Sequence, residues 1–305
     1  HAMRSDMTLQ PPPSVPSTVL LATDLSCRCD RALDRALLST KAWQARLVAL
    51  TVVEPIAGSR LDMGHAAWQQ ARQTAQRTAE RRLHADMAQH DMPTTVRVEQ
   101  GQVTDEVLVV AAQEAASLVV TGVARNGVLS RAVLGSTVDA LVRRSLVPVL
   151  VVRERAWESY ARVVVTTDFS AASRHALATA ATWYPHAELI LFHAYASPYS
   201  LRGSMDPMQA RIAGFKQAQQ QAEAFLQDAG LPVDARNRVR LELAYGDPAP
   251  LLHTRGQAHG HDLLVLAIRG HSKLLHILLG SVAQRILEVA QNDVLLVPTP
   301  STDTD

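Results

Sequence analysis

The sequence predicts an α/β protein built twice: two tandem Rossmann-like domains, each an open parallel sheet of about five strands with helices on both faces. Three observations predict it. Short β-branched runs alternate with stretches of helical periodicity. The runs are apolar throughout rather than at every second residue, as strands covered on both faces must be. The whole pattern then recurs at a nearly constant step. VLLATDLS (19–26) matches VVVTTDFS (163–170), with Asp24 and Asp168 144 residues apart, and the Gly-Ser pairs at 135–136 and 280–281 are 145 apart. A step of that size marks a duplicated domain, because solenoid repeats are several-fold shorter.

The elements follow in order. The first half opens on a strand at 19–23, then a helix over 28–43 and a strand over 46–53. A long amphipathic helix covers about 66–90, and its Gln and Arg residues from Gln69 to Arg82 read as a solvated face. Strand 95–99 leads through Gly101 to helix 103–115, strand 117–121, helix 136–145 and strand 147–152. The second half repeats this, with LLVLA (263–267) matching LVVTG (118–122) and DVLLVP (293–298) matching VPVLVV (147–152). Its Gln-rich helix near 207–229 ends at Gly230-Leu-Pro232, a helix stop. The domains are expected at 17–153 and 160–300, joined by RERAWESY (153–160). The polar, Pro-rich residues 1–16 are expected to be disordered, and His1-Ala2 read as a cloning remnant.

Composition narrows the function. Apolar residues make up 47% of the 305 and aromatics 4%, so the cores must be built from Ala, Val and Leu. A net charge of +1 gives no electrostatic reason to expect nucleic acid or an anionic membrane. No apolar run approaches the roughly 20 residues that span a bilayer. Two cysteines, Cys27 and Cys29, make no disulfide framework. The expectation is a cytoplasmic protein.

In open α/β sheets ligands bind beyond the carboxyl ends of the strands. The first strands end in TDLS and TTDFS, without the glycines of a dinucleotide fingerprint, and no Walker loop is present. The glycines follow the fourth strand instead: Gly122, Gly127 and Gly135-Ser136 in one half, Gly270 and Gly280-Ser281 in the other. Gly-Ser at a helix start offers free N–H groups and a hydroxyl to an anion, and the missing Cβ allows close approach. Each charge gains about 0.3–1 kcal/mol from the helix dipole, so several contacts are needed to hold a triphosphate. The competing reading is an ordinary N-cap where a loop meets a helix.

On these residues the chain resembles a tandem universal stress protein over about residues 17–300. The family's nucleotide motif is G-x2-G-x9-G-[ST] after strand four, with an aspartate closing strand one. Aligned on Gly280-Ser281, the second half has Ala267 at the first glycine and Gly270 at the second. Aligned on Gly135-Ser136, the first half has Gly122 and then Arg125. Each half thus departs from the motif at one position. Ala267 adds only a methyl group, which favours the second half as the ATP site and the first as the degenerate one. The resemblance implies ATP-binding roles for Asp168, Ala194, Ala267, Gly270, Gly280, Ser281 and Val282, and in the first half for Asp24, Val52, Gly122, Gly135, Ser136 and Thr137. The aspartates would lie near adenine or ribose, with Val52 and Ala194 on the adenine side. Without a ligand, each aspartate would simply begin a turn and cap the next helix with Ser26 or Ser170. The family also pairs its domains through their last strands, so 147–152 is expected antiparallel to 293–298 in an internal pseudo-dimer, with a homodimer as a further option.

Weaker signals remain. A helix N-terminus and Arg28 would lower the thiol pKa of Cys27 and Cys29, a basis for redox sensing, although ordinary helix residues explain them more simply. His253, His259, His261, His271 and His276 cluster in the second half. His259-Gly260-His261-Asp262 has metal-ligand chemistry but sits in a turn where solvated polar residues belong, so no metal site is expected. No nucleophile elbow, H-E-x-x-H or paired acid and base appears, so no catalytic residue is assigned. The function that follows is an ATP-binding stress-response or regulatory module. The alternatives are a nucleotide-free interaction scaffold with degenerate sites and a slow ATPase of the same fold.

Overall fold

The computed structural model describes residues 13–26, 29–54, 65–123, 135–196, 206–259, 263–268 and 279–299. In the first half, β1 (Thr18–Ala22), α1 (Asp30–Trp43), β2 (Arg46–Val53), α2 (His65–Ala88), β3 (Thr94–Gln100), α3 (Val103–Gln113), β4 (Leu118–Gly122), α4 (Ser136–Arg144) and β5 (Val149–Val152) alternate in the expected order. The second half runs β6 (Arg162–Thr166), α5 (Ala171–Trp183), β7 (Glu188–Tyr195), α6 (Pro207–Asp228), α7 (Val233–Asn237), β8 (Val239–Tyr245), α8 (Pro248–His259), β9 (Leu263–Ile268), α9 (Ser281–Val289) and β10 (Val294–Pro298). The short helix α7, which the sequence pattern did not suggest, starts directly on Pro232 beyond the expected stop.

All ten strands form one sheet in the order β3-β2-β1-β4-β5-β10-β9-β6-β7-β8. Each half has the doubly wound 3-2-1-4-5 order, with parallel neighbours such as Leu20↔Val48 and Leu20↔Val119. The halves join where β10 runs antiparallel to β5, pairing Val294↔Val151, Leu295↔Leu150 and Leu296↔Val149. This is the expected pairing of last strands, and it closes two edges that would otherwise present open backbone groups. The outer edges, β3 and β8, carry charges instead: Arg97 and Glu99 on one, Arg240 and Glu242 on the other.

Alternation along the strands separates two cores. Leu20, Val48, Val119, Val149 and Leu296 face one side, under α3, α4, α8 and α9. Val19, Leu21, Leu47, Leu118 and Leu295 face the other, under α1, α5 and α6. At the junction α4 and α9 approach on the first side, where Arg143 Nη2 donates to Gln284 Oε1 at 3.2 Å. On the second side Trp43 of α1 packs on Trp183 of α5, ring centroids 5.4 Å apart, and donates from Nε1 to the Trp183 carbonyl at 3.0 Å.

Candidate functional site

The topological switch point in each half lies between its first and fourth strands. In-register pairing brings the carboxyl ends of β1, β2 and β4 together, through Ala22↔Leu50, Ala22↔Thr121 and Gly122↔Val152. In the second half Thr166↔Phe192 and Val165↔Val265 do the same for β6, β7 and β9. Adjacent strands lie about 4.8 Å apart. Asp24, Val52 and Gly122 therefore converge on one sheet end, as do Asp168, Ala194 and Ala267. Gly270, Gly127 and Arg125, with Cys27, Arg28, His261, His271 and His276, lie outside the described residues.

The two aspartate turns have one geometry. Thr23 Oγ1 accepts from the Leu25 N–H at 3.0 Å, and Thr167 Oγ1 from the Phe169 N–H at 2.8 Å. Asp24 Oδ1 accepts from the Ser26 N–H at 2.9 Å, and Asp168 Oδ1 from the Ser170 N–H at 3.0 Å. These bonds hold Leu25 and Phe169 in the left-handed region, at φ 58° and 62°. That conformation is unfavourable for bulky residues, by about 1–3 kcal/mol, and persists where its surroundings over-determine it. Both carboxylates are exposed at the sheet end. Asp168 also accepts from Ser173 Oγ at 3.2 Å, while Ser170 caps α5 by accepting the Ser173 N–H at 3.3 Å. The turn-forming role of the aspartates is thus present in both halves. Val52 and Ala194 are half-buried, and Ala267 turns its methyl group toward the core under α5.

The Gly-Ser helix starts also match. Gly135 has φ −61° and ψ 146°, Gly280 φ −57° and ψ 146°, and among the described residues no side chain caps either helix. This contrasts with α5 and α6, capped by Ser170 and Asp206. The first turns close through Asp139 N–H to the Gly135 carbonyl and Gln284 N–H to the Gly280 carbonyl, at 3.0 and 2.9 Å. Neither φ demands glycine. A Cβ at Gly280 would meet nothing within 4 Å among the described residues, so their packing does not demand glycine either. Ser136, Ser281 and Val282 are exposed and Thr137 is half-buried.

Asp247, after β8, pairs with Arg285 in the second turn of α9. The Ala249 N–H and then the Arg285 guanidinium hold the Asp247 carboxyl below its ordinary range. His193 Nδ1–H donates to the Thr167 carbonyl at 2.8 Å and its ring lies 4.2 Å from that of Phe169, directly behind the Asp168 turn. Sequence reasoning passed over both features because neither is duplicated: the positions of Asp247 and Arg285 in the first half hold Gln102 and Ala140.

The Cys29 thiol is pushed up to about 11, chiefly by burial. Desolvation outweighs the helix-terminus effect, so Cys29 is a protonated thiol at neutral pH and not a poised thiolate. His253 Nδ1–H donates to the Val289 carbonyl at 2.8 Å, tying α8 to the end of α9. Among the described residues no group of His, Cys, Asp and Glu could hold a metal, and no helix is long and apolar enough to cross a membrane.

The family model described as universal stress protein family matches twice, over residues 17–153 and 159–298. A search of curated protein sequences finds no match. Among solved structures, the functionally unknown protein PA1789 of Pseudomonas aeruginosa PAO1 is similar at 16% identity and a TM-score of 0.62, over 93% of each chain. A universal stress protein of Archaeoglobus fulgidus DSM 4304 is similar at 17% identity and a TM-score of 0.58, over 92% of this chain and 98% of that one. At these identities the likeness establishes the fold. A universal stress protein solved in complex with cAMP aligns with 46% of this chain and 98% of that one, at 26% identity and a TM-score of 0.33; the ligand is a property of that protein.

Proposed function

Because the chain belongs to the universal stress protein family, once in each half, we propose that it is an adenine-nucleotide-binding stress-response module that takes ATP at the second-half switch point. The observation that carries this reading is Gly280, a glycine that neither its φ nor any neighbouring atom among the described residues requires. A helix that starts on glycine suits a phosphate group needing room and N–H donors. Ser281 and Val282 would supply further amides, Asp168 would accept from a ribose hydroxyl, and Ala194 and Ala267 would flank the base with Gly270 in the loop. Asp24, Val52, Gly122, Gly135, Ser136 and Thr137 form the corresponding set of the first half, which Arg125 makes the degenerate one. The domains are taken as 17–153 and 160–300, an internal pseudo-dimer in the cytoplasm. The role is read as regulatory because the sequence carries no nucleophile elbow, H-E-x-x-H or paired acid and base motif.

Isothermal titration with ATP tests this, with cAMP as a second titrant. The unsubstituted chain is expected to bind ATP, Gly280→Val to lose binding by more than tenfold, and Gly135→Val to keep it. Absence of both heat and any ATP-dependent shift in Tm would sink the reading. The interaction scaffold would then stand, a reading favoured by the carboxylates of Asp24 and Asp168 already serving their own turns.

A further inference from the structure

Halves that duplication made alike face a choice of partner. Each could pair its last strand with the other half or with the same half of a second copy. Backbone hydrogen bonds do not discriminate, because the β5–β10 register is symmetric about Leu150 and Leu295. The side chains at the junction do.

Asp293, just before β10, is 1% exposed. Its Oδ1 accepts from the N–H groups of Arg153 at 2.7 Å and Glu154 at 3.0 Å. Its Oδ2 accepts from the Tyr160 hydroxyl at 2.6 Å and lies 3.4 Å from Arg35 Nε. Arg35, on α1, sets its guanidinium 3.8 Å from the centre of the Tyr160 ring and donates to the Glu158 carbonyl at 2.9 Å. Arg153 in turn reaches into the second half, donating to the Leu287 carbonyl at 2.6 Å. The first half and the linker thus supply the cation and the N–H donors, and the second half supplies the carboxylate.

None of this is duplicated. The positions equivalent to Asp293, Arg35 and Arg153 hold Pro148, Thr179 and Pro298. Two second halves, if paired, would set each buried carboxylate against Pro298, which has no N–H, and Thr179, which has no charge. Two first halves would set Arg35 and the Arg153 N–H against Pro148, which offers no side-chain acceptor. Either arrangement buries an uncompensated charge twice. We infer that Asp293, with Arg35 and Arg153, forms a heterotypic recognition device: it accepts the second half as the partner of the β5 edge and rejects the same half of another copy. This rests on the pairing of the halves and is independent of nucleotide binding.

The test places a protease site at Ala156-Trp157, where Trp157 is 69% exposed, and cuts the chain after folding. Native mass spectrometry of the cut protein is expected to show only pairs of a first half with a second half. With Arg35→Leu and Asp293→Leu together, same-half pairs appear. Same-half pairs without the substitutions, or strictly mixed pairs with them, would overturn the inference. The intact chain supplies an independent check. Either substitution alone lowers Tm by about 10 °C, and the two together recover more than half of that loss. A double variant no more stable than the single ones would equally overturn it.

Discussion

The turn that closes β1 and the turn that closes β6 share a backbone and differ in what stands behind them. Thr, Asp and Ser make the same bonds in both, and Leu25 and Phe169 differ in φ by only 4° (62 − 58). Behind Leu25 lies a small aliphatic group of Ala49, Leu83 and Met87. Behind Phe169 lie the rings of His193, at 4.2 Å, and Phe225, at 5.7 Å. The polar side chains fix the chain path locally, within four residues, so the packing behind was free to diverge after duplication. Cys29 in one half and Ser173 in the other are the same divergence one helix turn further on.

The comparison breaks most visibly at the strained residue itself. Glycine relieves the left-handed strain at either turn, worth about 1–2 kcal/mol. Phe169→Gly also removes a packed ring, at about 3–5 kcal/mol, and is expected to destabilise the protein by about 2 kcal/mol net. Leu25→Gly removes a half-buried aliphatic group and is expected to be nearly neutral. Urea denaturation midpoints of the two variants separate these outcomes, and equal losses would show that the rings add nothing to the second turn.

A smaller difference is expected between Gly101 and Gly246, which stand at equivalent places before α3 and α8. Gly246 has φ +131°, so Gly246→Ala costs about 1–3 kcal/mol in backbone strain. At Gly101 the three atoms nearest a Cβ all belong to the Glu106 side chain, which can swing aside. Gly101→Ala is therefore expected to cost under about 1 kcal/mol. Thermal melts of the two variants check the order.

A further effect concerns pH. Burial raises the Cys29 thiol from 9.0 to about 11, so the unfolded chain ionises first. The stability contributed by the neutral thiol is present below about pH 9 and is lost as pH rises through 11. Cys29→Ser, which copies the second half, should flatten this alkaline decline. In a Cys27→Ser background, Cys29 should also react slowly with iodoacetamide at pH 8, and fast alkylation would contradict its burial.

Much of the fold was legible because its signals are local or repeated. Apolar strands, helix stops and the constant step between Asp24 and Asp168 each speak from a few residues, and the meeting of β5 with β10 followed from the family resemblance. At the switch points the topology alone places Asp24, Val52 and Gly122, and Asp168, Ala194 and Ala267, at one end of each half-sheet, while their site roles came from the family resemblance. The sequence did not indicate the state of Cys29, because burial depends on α1 docking against the turn. Nor did it indicate the grip of Asp293 on Arg35 and Tyr160. Those residues are far apart in the chain, unduplicated, and individually no different from any surface charge or ring.

The antiparallel seam has a geometric consequence for recognition. Because β5 and β10 run in opposite directions, the carboxyl ends of the two half-sheets point opposite ways. The two mouths therefore open on opposite rims, at least one strand length apart, about 17 Å. A partner that senses whether both are filled must embrace the molecule from two sides, whereas one that docks on a single rim reads one half and is blind to the other.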